Sequence, residues 1–390
     1  MPLQSNGRLS RQAPVIVRTS DQRPAVKLER KAKRIIAIGG GKGGVGKSIV
    51  STALACHWAR QQRRVVLIDL DLGAANLHSY LGIRRQTPTL ADFLRRKTDS
   101  LEPLLIPTGL PHLRLCSGAE SFPGMANPPH WLKQKLLRHI RALDADVVVL
   151  DLGAGVAFNT LDFFDAADDG VIVTEPEPAA VMNAYGFIKS ALLRTLQSVF
   201  RHHETLGEAL EADLALPEDR RAFSLDWLRQ QARAQAPDAV ALIDEVQQAF
   251  RPALLVNRHS AQASPVLIDN LRMLCRQKLG VELDWLGHLP DMPDLRRSLL
   301  NVPGFLDSPS GSPLRKAVAA AAQPLETHFP PEAPPRDYSD DDVQALLNMV
   351  DWLDDHALGG RPRDAWKLRV YFRPEEVDAH LRRHGSGLAA

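Results

Sequence analysis

Residues Gly41 to Ser48 read G-K-G-G-V-G-K-S, a glycine-dense turn that ends in a lysine and a hydroxyl. The spacing fits G-x-x-x-x-G-K-[S/T], in which glycines let backbone N–H groups converge on phosphate oxygens. In that chemistry Gly41, Gly43, Gly44, Val45, Gly46, Lys47, Ser48 and Ile49 surround a phosphate chain. Lys47 reaches its β- and γ-phosphates, and Ser48 ligates Mg²⁺. Three acids stand where such a site needs them. Asp69 and Asp71 close the run R-V-V-L-I-D-L-D, and Asp151 closes D-V-V-V-L-D. A carboxylate ending an apolar strand is suited to hold Mg²⁺ through water, which makes Asp151 the candidate. Gly153 and Gly155 follow it and supply flexible backbone where a γ-phosphate sensor would sit. The bland alternatives are a chance glycine-rich turn, and acids at 69 and 71 that only end a strand and cap a turn.

These groups need particular elements to position them. Ile35 to Ile38 is a short apolar, β-branched run, and Ile49, Val50, Ala53, Leu54 and Trp58 recur at helical spacing. The loop is therefore flanked by a strand and a helix whose positive dipole end faces the phosphates. Further buried-strand runs are expected at 64–69, 146–151, 170–174, 252–258 and 284–290, with a shorter one at 113–116. Helical spacing falls between them, at 131–143 and 181–200, and a longer helical stretch without strand signal occupies 201–250. The pattern predicts an α/β fold: a doubly wound, mostly parallel sheet with a helical insertion at about 201–250.

K-G-G-V-G-K-S, with its extra lysine at position 42, resembles the deviant P-loop of the MinD/ParA family of dimeric ATPases, and the match is most similar to MinD-like and FlhG-like members. Four motifs occur in family order: this loop; D-L-D-L-G-A-A-N-L at 69–77, similar to switch I; D-L-G-A-G at 151–155, similar to switch II; and L-V-N-R at 255–258 followed by Pro290. The resemblance implies that Lys42 crosses a sandwich dimer to the partner's phosphates and that Asp71 positions the attacking water. It places Asn76 at the dimer and nucleotide boundary, and Asn257, Arg258 and Pro290 around adenine. The implied cofactors are ATP and Mg²⁺, with Ser48, Asp71 and Asp151 around the metal. The implied partners are a second copy in the ATP-bound homodimer and an activating or cargo protein. The implied work is slow ATP hydrolysis that positions a flagellum, a division site or other cargo. A DNA-partitioning ATPase and a nucleotide-gated scaffold with negligible turnover are the competing readings.

Composition narrows this further. The chain has 390 residues, a formal net charge of +2 and three cysteines. Cys56, Cys116 and Cys275 lie far apart, so neither a disulfide framework nor a cysteine metal site is expected. The absence of cysteine near 151–155 argues against a relative that carries an iron–sulfur cluster. No apolar run approaches the ~18 residues of a membrane-spanning helix, so the expected location is cytoplasmic, with a peripheral membrane or polar position left open. Residues 1–32 read as a basic disordered tail, serving either as a docking segment for an anionic surface (lipid or DNA) or as a solubilising extension. The ATPase domain is expected over 33–328. A stiff linker rich in proline follows at 329–337, and then a small C-terminal α(+β) module for partner docking at 338–390.

Overall fold

The computed structural model describes residues 33–327, apart from 72–74, 85–87, 119–129, 202, 204, 218–219, 238 and 260–265. The expected tail, linker and C-terminal module, and most of the proline-rich loop at 121–130, lie outside the described residues.

The chain begins with β1 (Arg34–Gly39), turns through the glycine loop into α1 (Lys47–Arg60) and continues to β2 (Val65–Leu70). Short helices α2 (Leu77–Tyr80) and α3 (Leu90–Leu94) precede β3 (Leu105–Pro107) and β4 (Leu113–Cys116). Next come α4 (His130–Ala142), β5 (Val147–Leu152), α5 (Phe158–Asp165), β6 (Asp169–Thr174) and the long α6 (Pro178–Phe200). The stretch after α6 holds α7 (Leu206–Leu214), α8 (Leu225–Gln235) and α9 (Ala239–Ala249). The sheet resumes with β7 (Ala253–His259), α10 (Val266–Leu274) and β8 (Asp284–Pro290), and α11 (Pro293–Arg297), α12 (Val302–Asp307) and α13 (Ser312–Glu326) close the described part.

The eight strands lie in the order β3-β4-β2-β5-β1-β6-β7-β8. Only the β3–β4 pair is antiparallel. This is the doubly wound, mostly parallel sheet that the strand and helix order predicts. Both faces are covered, which is why β2 and β5 are buried at every residue and read as unbroken apolar runs apart from one acid each. On one face α1, α12 and α13 join alternate strand residues such as Ile36, Ile38, Val149 and Leu255 in a single core around Trp58. Fully burying one such aliphatic side chain contributes about 1.5–3 kcal/mol. Toward the other face Phe164 of α5 meets Phe187 of α6 edge-to-face, with ring centroids 5.1 Å apart.

Three local details interrupt the regular elements. Residues 291–301 are not one helix, because Pro293 opens a five-residue α11 that gives way to a 3₁₀ turn at Leu299–Asn301. The edge strand β3 is only three residues long, too short to show an alternating pattern. Helix α10 ends in a π-turn at Cys275–Leu279, closed by Gly280 in the left-handed region at φ 63°.

Candidate functional site

β1 is central, with β5 on one side and β6 on the other, so the loop after it opens at the point where the chain switches direction across the sheet. That loop carries Gly41 to Ser48. Gly46 caps α1 at φ 86°, a conformation that costs other L-residues energy. Gly41 is required by proximity, since a Cβ there would sit 1.9 Å from the backbone oxygen of Asn183 in α6. The first turns of α6 thus abut the phosphate loop. Val45 packs into the core, and Ile49 packs against its rim.

Lys47 begins α1 and is 8% exposed. Burial lowers its pKa, and the charges of Asp151 and Asp71 oppose that shift. Its ammonium lies 3.5 Å from the backbone oxygen of Lys42. The Lys42 side chain is half-buried on the loop and has no hydrogen bond or ion pair among the described residues.

Asp151 is buried at the end of β5 and accepts a hydrogen bond from the Ser51 hydroxyl at 2.8 Å. Ser48 also donates to it. Ser51 lies one helical turn beyond Lys47, on the side of α1 that faces the strand ends, and no sequence motif had singled it out. A hydroxyl at i+4 from the loop lysine was the available signal. Asp69 is paired in register with Asp151 on the adjacent strand. It accepts backbone N–H groups of Asp71 (3.1 Å), Asn76 (3.0 Å) and Leu77 (3.2 Å). Asp69 therefore caps the turn, and among the described residues no backbone N–H donates to the Asp71 carboxylate. Burial, then the charge of its neighbour, raises the pKa of Asp69, and burial raises that of Asp151.

Asp71 stands beside the segment that follows β5, where a Cβ on Gly153 would lie 3.4 Å from its Oδ1. Gly155, at φ 89°, donates its N–H to the backbone oxygen of Gly40 at 3.2 Å. The two switch-like segments and the phosphate loop therefore meet. Asn76 caps α2, with its N–H bound by Asp69.

On the far side of the loop β7 ends in three residues tied to three different elements. The Asn257 amide donates to the backbone oxygen of Val45 at 2.8 Å. Arg258, at φ 52°, pairs with Glu175 of the β6 end at 2.7 Å. The His259 ring faces the His288 ring of β8 at 4.2 Å, and His259 is in register with Pro290. Glu175 was not expected from sequence, since its partner is far along the chain.

No group of three or more His, Cys, Asp or Glu side chains suited to a metal ion occurs among the described residues. The donors fit Mg²⁺ shared with phosphate oxygens instead. The Ser48 hydroxyl and the buried Asp151 carboxylate, crowded by the charges of Asp69 and Asp71, form a site whose charge a divalent cation would relieve.

Residues 36–301 match the model of the CobQ/CobB/MinD/ParA nucleotide-binding domain. The chain is 36% identical over 157 residues to the antiactivator FleN of Pseudomonas aeruginosa, covering 40% of this chain and 55% of FleN. It is 34% identical over 165 residues to the flagellum site-determining protein YlxH of Helicobacter pylori, covering 40% of this chain and 53% of YlxH. The chain thus spans about half the length of these curated relatives. A solved Cyanothece McdA–ATP complex has a similar fold, with a TM-score of 0.50 at 15% identity over 78% of this chain and 100% of that one.

Proposed function

The chain belongs to the CobQ/CobB/MinD/ParA nucleotide-binding family, and from that premise we propose that it is an ATP-dependent dimerisation switch that hydrolyses ATP slowly to position a cellular machine. FleN is described as an antiactivator and YlxH as a flagellum site-determining protein, which favours a flagellum as that machine. The observation that carries the reading is the meeting of Lys42, Lys47, Ser48, Asp71 and Asp151 at one end of the sheet, with the Lys42 ammonium unpartnered among the described residues.

In this reading backbone N–H groups of Gly43 to Ser48 hold the phosphates, and Lys47 neutralises them. Ser48, Asp71 and Asp151 would hold Mg²⁺, which would supply charge neutralisation on the phosphate chain. Asp71 orients the attacking water, since phosphoryl transfer depends mainly on positioning. Asn257, Arg258 and Pro290 border the base. Lys42 gains a phosphate contact only when a second copy presents its nucleotide, so ATP binds the dimer better than the monomer. That preference is what allows a ligand to shift an equilibrium. Loss of the γ-phosphate removes the contact and releases the pair.

The test is the solution mass of Asp71→Ala protein with ATP and Mg²⁺ against ADP, repeated for Lys42→Ala in the same background. Doubling with ATP alone, abolished without Lys42, is expected. A mass indifferent to nucleotide would overturn the switch.

A further inference from the structure

A second polar cavity of about 660 Å³, open to solvent and lined largely by exposed residues, lies between α8 and the turn that follows α10. It is separate from the phosphate loop. β7 and β8 run parallel to β1, and Gly280 precedes the start of β8, so the cavity flanks the opposite end of the sheet from the loop that follows β1. The size suits a small metabolite.

Two of its arginines are held by ion pairs. Arg229 of α8 is fixed by Asp244 at 2.6 Å and by the Gln247 side chain at 2.7 Å. Gln247 is 4% exposed and donates in turn to the backbone oxygen of Leu279. Arg276, on the facing turn, is fixed by Glu282 at 2.8 Å. Two further cations line the space, Arg233 one turn beyond Arg229 and Lys278 on the facing turn. Neither has a hydrogen bond or ion pair among the described residues. Among the described lining residues Asp226 is the only acid, and none is aromatic. Gln230 and Gln277 add side-chain amides that both donate and accept.

This composition selects a ligand class. Unpaired cations on both walls call for an anion, and the guanidinium fork of Arg233 matches phosphate oxygens two at a time. The amides and Asp226 suit hydroxyl groups, and the lack of rings leaves nothing on which a base would stack. The geometry points to a binding site for a soluble phosphorylated, hydroxyl-bearing metabolite of the sugar-phosphate class, bridged between Arg233 and Lys278. The site joins a helix of the 201–250 stretch to the turn between α10 and β8, so it exists only where that stretch is present.

The probe is ribose 5-phosphate, titrated calorimetrically into the full-length protein in excess Mg²⁺ and ADP, which occupies the phosphate loop. One equivalent is expected to bind, and Arg233→Gln with Lys278→Gln should weaken it about tenfold or more for each cation removed. Arg233→Lys should keep only part of the affinity, because an ammonium keeps the charge and loses the two-pronged contact, and unchanged thermal melting of the double variant shows that its fold is intact. The difference between the wild-type and double-variant proteins reports the cavity whether or not ADP binds, so a failure here is distinct from a failure of the ATP site. Absence of binding, or binding that the double variant leaves unchanged, would overturn the proposal. So would binding of a poly-glutamate peptide where ribose 5-phosphate does not bind, because the cavity would then be an acidic-peptide site.

Discussion

The side-chain amide of Asn257 donates to the backbone oxygen of Val45 at 2.8 Å across 212 residues of sequence. The end of β7 thereby fixes the shape of the phosphate loop. A Cβ on Gly46 would lie 2.2 Å from the same amide nitrogen, so a larger residue there would displace the Asn257 amide from this contact. Asn257→Ala should weaken ADP binding by about tenfold, the loss of one buried hydrogen bond that organises the loop. Calorimetric titration checks this, and an unchanged dissociation constant would remove Asn257 from the site. Gly46→Ala should be worse, because it combines the clash with a left-handed backbone.

Ser51 is the donor that a buried Asp151 keeps at 2.8 Å. Replacing it with alanine leaves a carboxylate oxygen short of a partner and should cost about 1–3 kcal/mol of stability. Ser51→Thr should restore most of it, since the hydroxyl is kept. Chemical denaturation measures both variants, and a midpoint equal to wild type in Ser51→Ala would mean that water replaces the hydroxyl at no cost.

Three variants separate the roles proposed at the loop. Lys47→Ala should lose nucleotide affinity altogether. Asp71→Ala should bind ATP and stay dimeric with turnover abolished, whereas Lys42→Ala should bind ATP as a monomer. Phosphate release and light scattering read all three, and normal turnover in Asp71→Ala would exclude it as the residue that orients water.

His259 has its pKa lowered, first by partial burial and then by the facing His288. The folded state therefore takes up fewer protons than the unfolded chain just below the ordinary histidine value of about 6.5. The stability this group contributes is present above that value and is lost as pH falls through its lowered folded pKa. Proton NMR of the imidazole should show His259 titrating below the ordinary value and moving back toward it in His288→Ala. A midpoint unaffected by that change would show that the rings do not interact.

The glycine loop was legible because its information is local. Glycines that must reach φ 86° at Gly46, or make room for Asn183 at Gly41, are written into consecutive positions, and Lys47 and Ser48 follow at fixed spacing. The buried strands were legible for a similar reason, since a parallel strand covered on both faces leaves an unbroken apolar run. Segments without such a signature were harder. β3 is three residues long, and the helix that Pro293 opens is only five.

By itself the sequence determined the glycine-rich turn between β1 and α1, the acids that end β2 and β5, and the alternation of strands and helices that leads to a doubly wound sheet. Only the tertiary structure decided which of these groups meet. Asp69 faces Asp151 because β2 and β5 are neighbours in the sheet, although α4 and the short elements before it intervene in the chain. Asn257 reaches Val45, and Arg258 reaches Glu175, because β6 and β7 end beside the loop after β1. The cation-lined cavity likewise needs α8 and the turn after α10, which sequence separates and packing joins. Spacing along the chain encodes local backbone geometry, whereas contacts between distant residues depend on strand order and on which faces must be buried.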